Sequence, residues 1–266
     1  MLILRKYKPV LTVTQNVKGV LDVDTVKGCT MGMASHSGGC YGECYAAKTA
    51  ARYGVDFSIS ISRYITPQTS RKVFNAVGRH SAGWYRIGVA GDPSHDWDNT
   101  VSVCEFLSGT NKIPVIVRKH WNIASNRQLR RLAAVGAVFN TSVSGMDNDF
   151  QVNDRVTEIE RIRSYGMVSV CRVVTCQYGS GKWADRCRAT QNYLLSITPI
   201  IDTPFRTTTK NPHVINGEII LTKCSDSIGG GSRMVSLNDH NAYLGKCLGC
   251  PDQCGVSFNE EVVKSE

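Results

Sequence analysis

Residues 28–54 read GCTMGMASHSGGCYGECYAAKTAARYG, and the rest of the chain is read outward from them. Cys29, Cys40 and Cys44 stand in this stretch, with ten and then three residues between them. Glycines at 28, 32, 38, 39 and 42 let the backbone bend sharply and come close to something bulky. From Tyr45 to Tyr53 there is no Gly or Pro, and the Ala-rich run predicts a helix that Gly54 ends. A glycine-rich loop with three thiols suits a core poorly and a cage around an inorganic cluster well. Three thiolates on a four-iron cluster leave one iron open to an outside ligand. Two other readings use the same residues. Zinc prefers four ligands and short CxxC pairs, and here His36 would have to be the fourth. A disulfide loop conflicts with an opening, MLILRKYKPV, that is no secretory signal, and eleven cysteines cannot all pair. Reduced thiols and a cytoplasmic location are therefore expected.

Upstream, residues 9–28 alternate weakly between apolar and polar and predict one or two strands feeding the loop. Downstream, DFSISISRY alternates again, and Thr66 and Pro67 read as N-cap and first residue of a helix. From residue 86 one pattern repeats. RIGVAGD, IPVIVRKH, AVFNTSVSG, MVSVCRVVT and TPIIDTPFR read as strands, and helical segments of 10 to 17 residues separate them. This alternation predicts parallel strands with crossover helices, six βα-type units in all. A barrel and a doubly wound open sheet both fit that pattern. In either, chemistry is expected at the C-terminal strand ends.

Those strand ends are polar: Gly88, Gly91, Asp92, His95; Arg118, Lys119, His120; Asn140, Ser142, Ser144, Asp147; Arg172, Thr175; Asp202, Arg206. Loop polarity accounts for many of them. Arg118 and Arg172 sit inside apolar runs, which predicts a carboxylate or an anionic ligand beside each. Cys104 and Cys187 read as small buried apolar residues. Cys171 and Cys176, near a strand end, are open to either a packing or a functional role.

CYA closing a Gly-rich cysteine loop, followed by ARYG, resembles the radical S-adenosylmethionine superfamily. Within it the chain is most similar to phage- and plasmid-borne proteins related to spore photoproduct lyase, with the cysteine loop widened to CX10CX3C. The likeness spans roughly residues 20–205. It implies an α/β fold, an open partial (β/α)6 barrel of mainly parallel strands over residues 1–205. It further implies a [4Fe-4S] cluster on Cys29, Cys40 and Cys44, S-adenosylmethionine on its open iron, and a reductant such as flavodoxin or ferredoxin. By position, Gly88, Gly91 and Asp92 would meet the amino group of S-adenosylmethionine, Ser142 and Ser144 its ribose, and Arg172 its carboxylate.

Residues 206–266 differ in composition and read as a Cys-rich, irregular metal-binding extension. Cys247, Cys250 and Cys254 fall within eight residues, and Cys224 is available as a fourth ligand. The spacing fits a second iron–sulfur cluster or a four-cysteine zinc site equally. Asn216-Gly217 reads as a hairpin turn. The 266-residue chain is 42% hydrophobic and 20% charged, ordinary for a globular protein, with no apolar run long enough for a membrane helix. Its net charge is +9. Residues 111–131 carry six basic and no acidic side chains, which fits a polyanion partner or an anionic substrate and equally a solvated basic face kept for solubility; together with the family likeness it leans towards a nucleic-acid or nucleotide substrate. The reading from another class is a zinc-stabilised nucleic-acid-binding protein without catalytic activity.

Overall fold

Leu21, Tyr85, Ile87, Ile116 and Phe139 are the side chains that the two-residue period of a strand sends to one face. They fuse with Val73, Val101, Leu107, Leu129 and Ile162 from the helical segments into one buried cluster. The structure is a computed structural model and describes residues 6–224, 233–236 and 242–258. The chain forms β1 (Leu21–Asp22), α1 (Tyr45–Arg52), α2 (Pro67–Gly78), β2 (Trp84–Ile87), α3 (Trp97–Ser108), β3 (Ile113–Arg118) and α4 (Asn126–Ala134). It continues with β4 (Val138–Ser144), α5 (Asp149–Arg163), β5 (Ser169–Thr175), α6 (Lys182–Leu195), β6 (Ile200–Arg206), β7 (Thr222–Cys224) and β8 (Arg233–Ser236).

Strands β1 to β6 lie side by side in chain order and pair in parallel. Antiparallel neighbours flank them: Thr14–Gln15 beside β1, then β8 and β7 beyond β6. Arg86 pairs with Val115, Val117 with Asn140, Ser142 with Arg172, and Arg172 with Ile201, so these residues share the second face. Helices α2 to α6 cover the first face. The second face is covered at the start of its strands by Cys247, Cys254 and Val256, packed on Val20, Trp84, Val115 and Val138. Helices on one face decide against a doubly wound sheet, which has them on both.

Local signals account for the helices. Ser125 with Gln128 and Asn148 with Gln151 form capping boxes at the starts of α4 and α5. Thr66 and Pro67 open α2 as expected, and α1 ends before Gly54, at φ 63°. Three expectations need correction. The expected strands over 9–28 shrink to two-residue pieces, because the segment wraps the sheet edge instead of joining it at length. The alternating run 55–64 contributes only Ile61–Ser62, paired with Val26–Lys27. Asn216-Gly217 is not a hairpin turn: it ends the helical turn Pro212–Ile215. The glycine run 229–231 and the side chain of Cys224 lie outside the described residues. Among the described residues no helix is long and apolar enough to cross a membrane.

Candidate metal centre and the surfaces around it

Glycine brings the first three cysteines together. Gly28, at φ 84°, bridges to Gly91 and fastens the loop start to the end of β2. Cys29 then caps the helix Thr30–Ser35, its Sγ accepting from Gly32 N–H at 3.3 Å. A Cβ on Gly32 would lie 2.8 Å from Cys29 Sγ and 3.4 Å from Cys40 Sγ, so both sulfurs face the space that the missing side chain leaves. A Cβ on Gly39 would lie 2.5 Å from Cys44 Cβ and 3.5 Å from its Sγ. All three thiols are half-buried. Burial, with Asp92, Cys40 and Cys44 nearby, pushes the Cys29 thiol up to about 12. Burial also raises Cys40, and Lys119 and Arg155 oppose the rise. Ligands raised in this way become thiolates when a cationic centre supplies the compensating charge.

The residues between Cys40 and Cys44 anchor the loop on two sides. Tyr41, at φ 59°, donates its hydroxyl to both Asp147 carboxylate oxygens at 2.9 Å. Lys119 Nζ bonds the same hydroxyl and lies 3.5 Å from Asp147, and Arg155 pairs with Asp147 from α5. Burial alone would raise the Asp147 carboxyl, but Lys119, Arg155 and Tyr41 hold it below its ordinary value. On the other side Glu43 accepts from Thr207 and, at 3.3 Å, from Asn211, both beyond β6, and pairs with Lys48. Tyr41 and Glu43 thus tie the cysteine loop to the C-terminal ends of β4 and β6. The sequence reading missed both, because their partners are more than 100 residues away. Two shallow grooves flank Trp121: Cys29, Asp92 and Asn122 line one, and Cys40, Tyr41 and Lys119 the other.

The GVAGD segment is braced from within. Asp24, buried, accepts from the N–H groups of Gly88, Val89 and Ala90 at 3.1, 2.8 and 3.2 Å. A Cβ on Gly88 would sit 2.0 Å from Val117 O, and one on Gly91 2.4 Å from Val26 O. Asp92 accepts from Ser94 N–H and Lys119 N–H at 2.9 and 3.0 Å while facing Cys29. Asp24 was legible in retrospect: LDVDT puts two acids on one strand face. Asp22, the other acid, holds Arg86 at 2.9 Å. Ser144 donates to Val174 O at 2.9 Å and accepts from Met146 N–H, which commits its hydroxyl to the strand end.

The two arginines expected beside anions separate. Arg118 faces the helix-covered side, its guanidinium 4.3 Å over Trp97 and 4.8 Å over Phe139. Burial pushes it down to about 9, and among the described residues none of its nitrogens has a hydrogen-bond partner. The carboxylates expected beside Arg118 are present as Asp92 and Glu158, whose charges favour the guanidinium without hydrogen-bonding it, and the ring faces of Trp97 and Phe139 enclose it. Arg172 is on the helix-free face beside Ser142, and with Arg86 it opposes the rise that burial gives the Cys254 thiol. Cys104, Cys171, Cys176 and Cys187 are buried and pack as apolar residues.

The tail cysteines divide by strand register. Cys247, Cys250 and Cys254 belong to the segment that packs where the parallel strands begin, and Cys247 N–H donates to Lys18 O at 3.0 Å. Strand β8 runs antiparallel to β6 with Val235 opposite Arg206, and Cys224 pairs with Arg233. Cys224 is thus carried past the C-terminal end of β6, the end away from the trio. The side chain of Cys224, and with it the four-cysteine set, lies outside the described residues. Among the described residues, no group of three or more His, Cys, Asp or Glu is gathered as the ligands of one metal ion, and His36 is exposed. No family model, curated protein or solved structure matches the chain.

Proposed function

We propose that this chain is a radical S-adenosylmethionine enzyme whose cluster is held by Cys29, Cys40 and Cys44. The observation that carries the reading is the convergence of these thiols on the spaces left by Gly32 and Gly39, at the C-terminal end of a parallel sheet with helices on one face. That one-sided winding supports an open partial barrel. Among the described residues no three ligands are gathered for a single ion; Cys29 and Cys40 border the space at Gly32 and Cys44 the space at Gly39, a spread that suits a multi-atom cluster better than one ion. When bound, the cluster and S-adenosylmethionine supply one-electron cleavage of a sulfonium bond, which starts radical chemistry on a substrate.

The chain's own residues do the rest. Tyr41, Asp147, Lys119 and Arg155 fix one flank of the loop, and Glu43, Thr207 and Asn211 fix the other, so the thiols are held before anything binds. Gly88, Gly91 and Asp92 form the rim beside Cys29. Ser142, Ser144 and Arg172 continue along the helix-free face toward the other strand ends. Asp24 keeps that rim rigid. An electron donor of the flavodoxin or ferredoxin class meets the chain at this end, and the net charge of +9 favours a nucleic-acid or nucleotide substrate.

Anaerobic purification tests the reading. The expected result is a brown protein with iron and sulfide that cleaves S-adenosylmethionine under reduction, and Cys40→Ala and Cys44→Ala variants that lose both properties. A colourless protein holding zinc and no iron, in a chain that binds nucleic acid, selects the zinc-stabilised binding protein instead.

A further inference from the structure

We propose that Trp121 is a stacking platform for a nucleobase, and that the rim around it takes single-stranded nucleic acid with one base laid beside the cysteine loop. The inference rests on the nucleic-acid substrate of the reading above and names where that substrate meets the chain.

Packing does not explain Trp121. Trp97 and Trp84 are buried in the clusters on the two faces of the sheet, and Trp183 packs against the Tyr178 cluster and stacks on His213. Among the described residues, Trp121 is the tryptophan that joins no hydrophobic cluster. It is half-buried instead and lines both shallow grooves at the cysteine loop.

The neighbours of Trp121 hold it there. His120 takes φ 56°, and its buried ring lies against α5, with Nε2 2.6 Å from the Thr141 hydroxyl and Nδ1 3.7 Å from Glu158. Asn122 donates from its backbone N–H to Ser94 Oγ at 3.3 Å and from Nδ2 to Ser94 O at 3.1 Å, and its carbonyl accepts from Trp97 Nε1–H at 3.0 Å. A non-glycine residue in the left-handed region persists where the surroundings impose it, commonly at ligand clamps. Here the reversal turns His120 inward and leaves Trp121 at the grooves.

The surroundings suit an unpaired base and its phosphates. Arg155 lies over the Trp121 ring, 5.5 Å from its centre, and is itself buried and paired with Asp147. Large apolar side chains stand exposed on the same rim. Met31 lines the groove with Cys29, and Phe150 precedes Gln151, which lines the groove with Cys40. Of the six basic residues in 111–131, Arg127 and Arg130 are the exposed ones. They are three residues apart on one face of α4, and Arg127 is in its first turn, at this end of the sheet. Rings that stack bases beside cations that follow the backbone are the means by which proteins bind single strands without reading sequence. A duplex keeps its base faces inside the stack and offers such a platform nothing to cover it. Because the grooves on either side reach Cys29 and Cys40, a base on Trp121 is held next to the chemistry of the loop.

The test uses the full-length protein purified anaerobically and a labelled oligonucleotide of mixed sequence, made as single-stranded DNA, as single-stranded RNA and as a duplex. Affinity is read by fluorescence anisotropy at one fixed salt concentration. The wild type is expected to bind a single strand and to bind the duplex at least about tenfold more weakly. Trp121→Ala is expected to weaken single-strand binding roughly 10- to 100-fold with iron per chain unchanged, and Trp121→Phe, which keeps a flat ring, to retain most of the affinity. No binding of either single strand, equal affinity in Trp121→Ala, or equal affinity for the duplex overturns the proposal. A nucleoside monophosphate that competes as well as the oligonucleotide overturns the single-stranded substrate. If Trp121→Ala fails to fold, tryptophan emission with unlabelled strand decides: quenching that vanishes in Trp121→Phe supports the site, and quenching that persists there overturns it. A chain that binds the strand through Trp121 but holds no iron sinks the radical reading and leaves this site standing. A chain that holds iron and cleaves S-adenosylmethionine but binds no strand overturns this site alone.

Discussion

Arg118 is the residue whose role changes most between sequence and structure. An arginine inside VIVR invites a ligand, yet its guanidinium lies between Trp97 and Phe139 with no hydrogen-bond partner among the described residues. A buried charge without hydrogen bonds costs stability, and the stacking together with the nearby carboxylates of Asp92 and Glu158 offsets only part of that cost. Arg118→Met keeps the stem and removes the charge, so thermal unfolding should occur at the same or a higher temperature; a marked fall would mean the stacking dominates. Asp147 is the opposite case. It joins Tyr41, Lys119 and Arg155, and Asp147→Asn leaves two buried cations without their counter-charge. Urea titration should show a loss of about 3–5 kcal/mol. His120 sets a pH dependence. Burial and the neighbouring Arg118, Arg155 and Arg161 hold its imidazole well below the ordinary 6.5, with Glu158 3.7 Å away and Thr141 hydroxyl at 2.6 Å. The unfolded chain therefore binds the extra proton first. The neutral ring's contribution is full above about pH 6.5 and declines as pH falls from there toward the lower folded value. His120→Gln should flatten the midpoint-against-pH curve between pH 6.5 and 5.

The cysteine loop, as an element, is shaped by glycine for two separable reasons. Gly32 has ordinary backbone angles and is required by space, because its Cβ would touch two sulfurs. Gly54 is required by angle alone, at φ 63° with nothing within 4 Å of a Cβ. Gly54→Ala should cost about 1 kcal/mol and leave metal content unchanged. Gly32→Ala should leave the helices intact by circular dichroism and lower the iron bound per chain several-fold. Equal iron in the two variants would show that the cage does not lie where Gly32 faces. Tyr41 and Glu43 could not be recognised as anchors from the sequence. A tyrosine and a glutamate between two cysteines look like solvent-facing filler until strand ends more than 100 residues away are brought beside them.

At the scale of the molecule, the tail is part of the sheet's packing. Cys247, Cys254 and Val256 cover Val20, Trp84, Val115 and Val138, which would otherwise face water. A chain ending at residue 241 should expose them. Uncovering two such side chains costs roughly 3 kcal/mol or more, and a chain of this size loses about 2–4 °C in Tm per kcal/mol, so a fall of at least roughly 6 °C is expected. An unchanged Tm would place the tail outside the core.

The sequence alone determined the alternation of strands and helices, because apolar periods of two and of about 3.6 residues are local properties that need no partner. It also marked a helix start at Thr66, since a cap needs only its own first turn. The short strands before Cys29 were overread, because Val and Thr alternate in a wrapping segment as they do in a paired one. Only the tertiary structure decided which face each strand residue meets. It put all of α2 to α6 on one side, turned Arg118 into the helix layer and Arg172 away from it, and sent Cys224 to the opposite end of the sheet from Cys247. The reason is register: shifting one residue along a strand turns a side chain to the other face, and the direction of a neighbouring strand decides which end a residue reaches. Both are fixed by pairing between segments far apart in the chain.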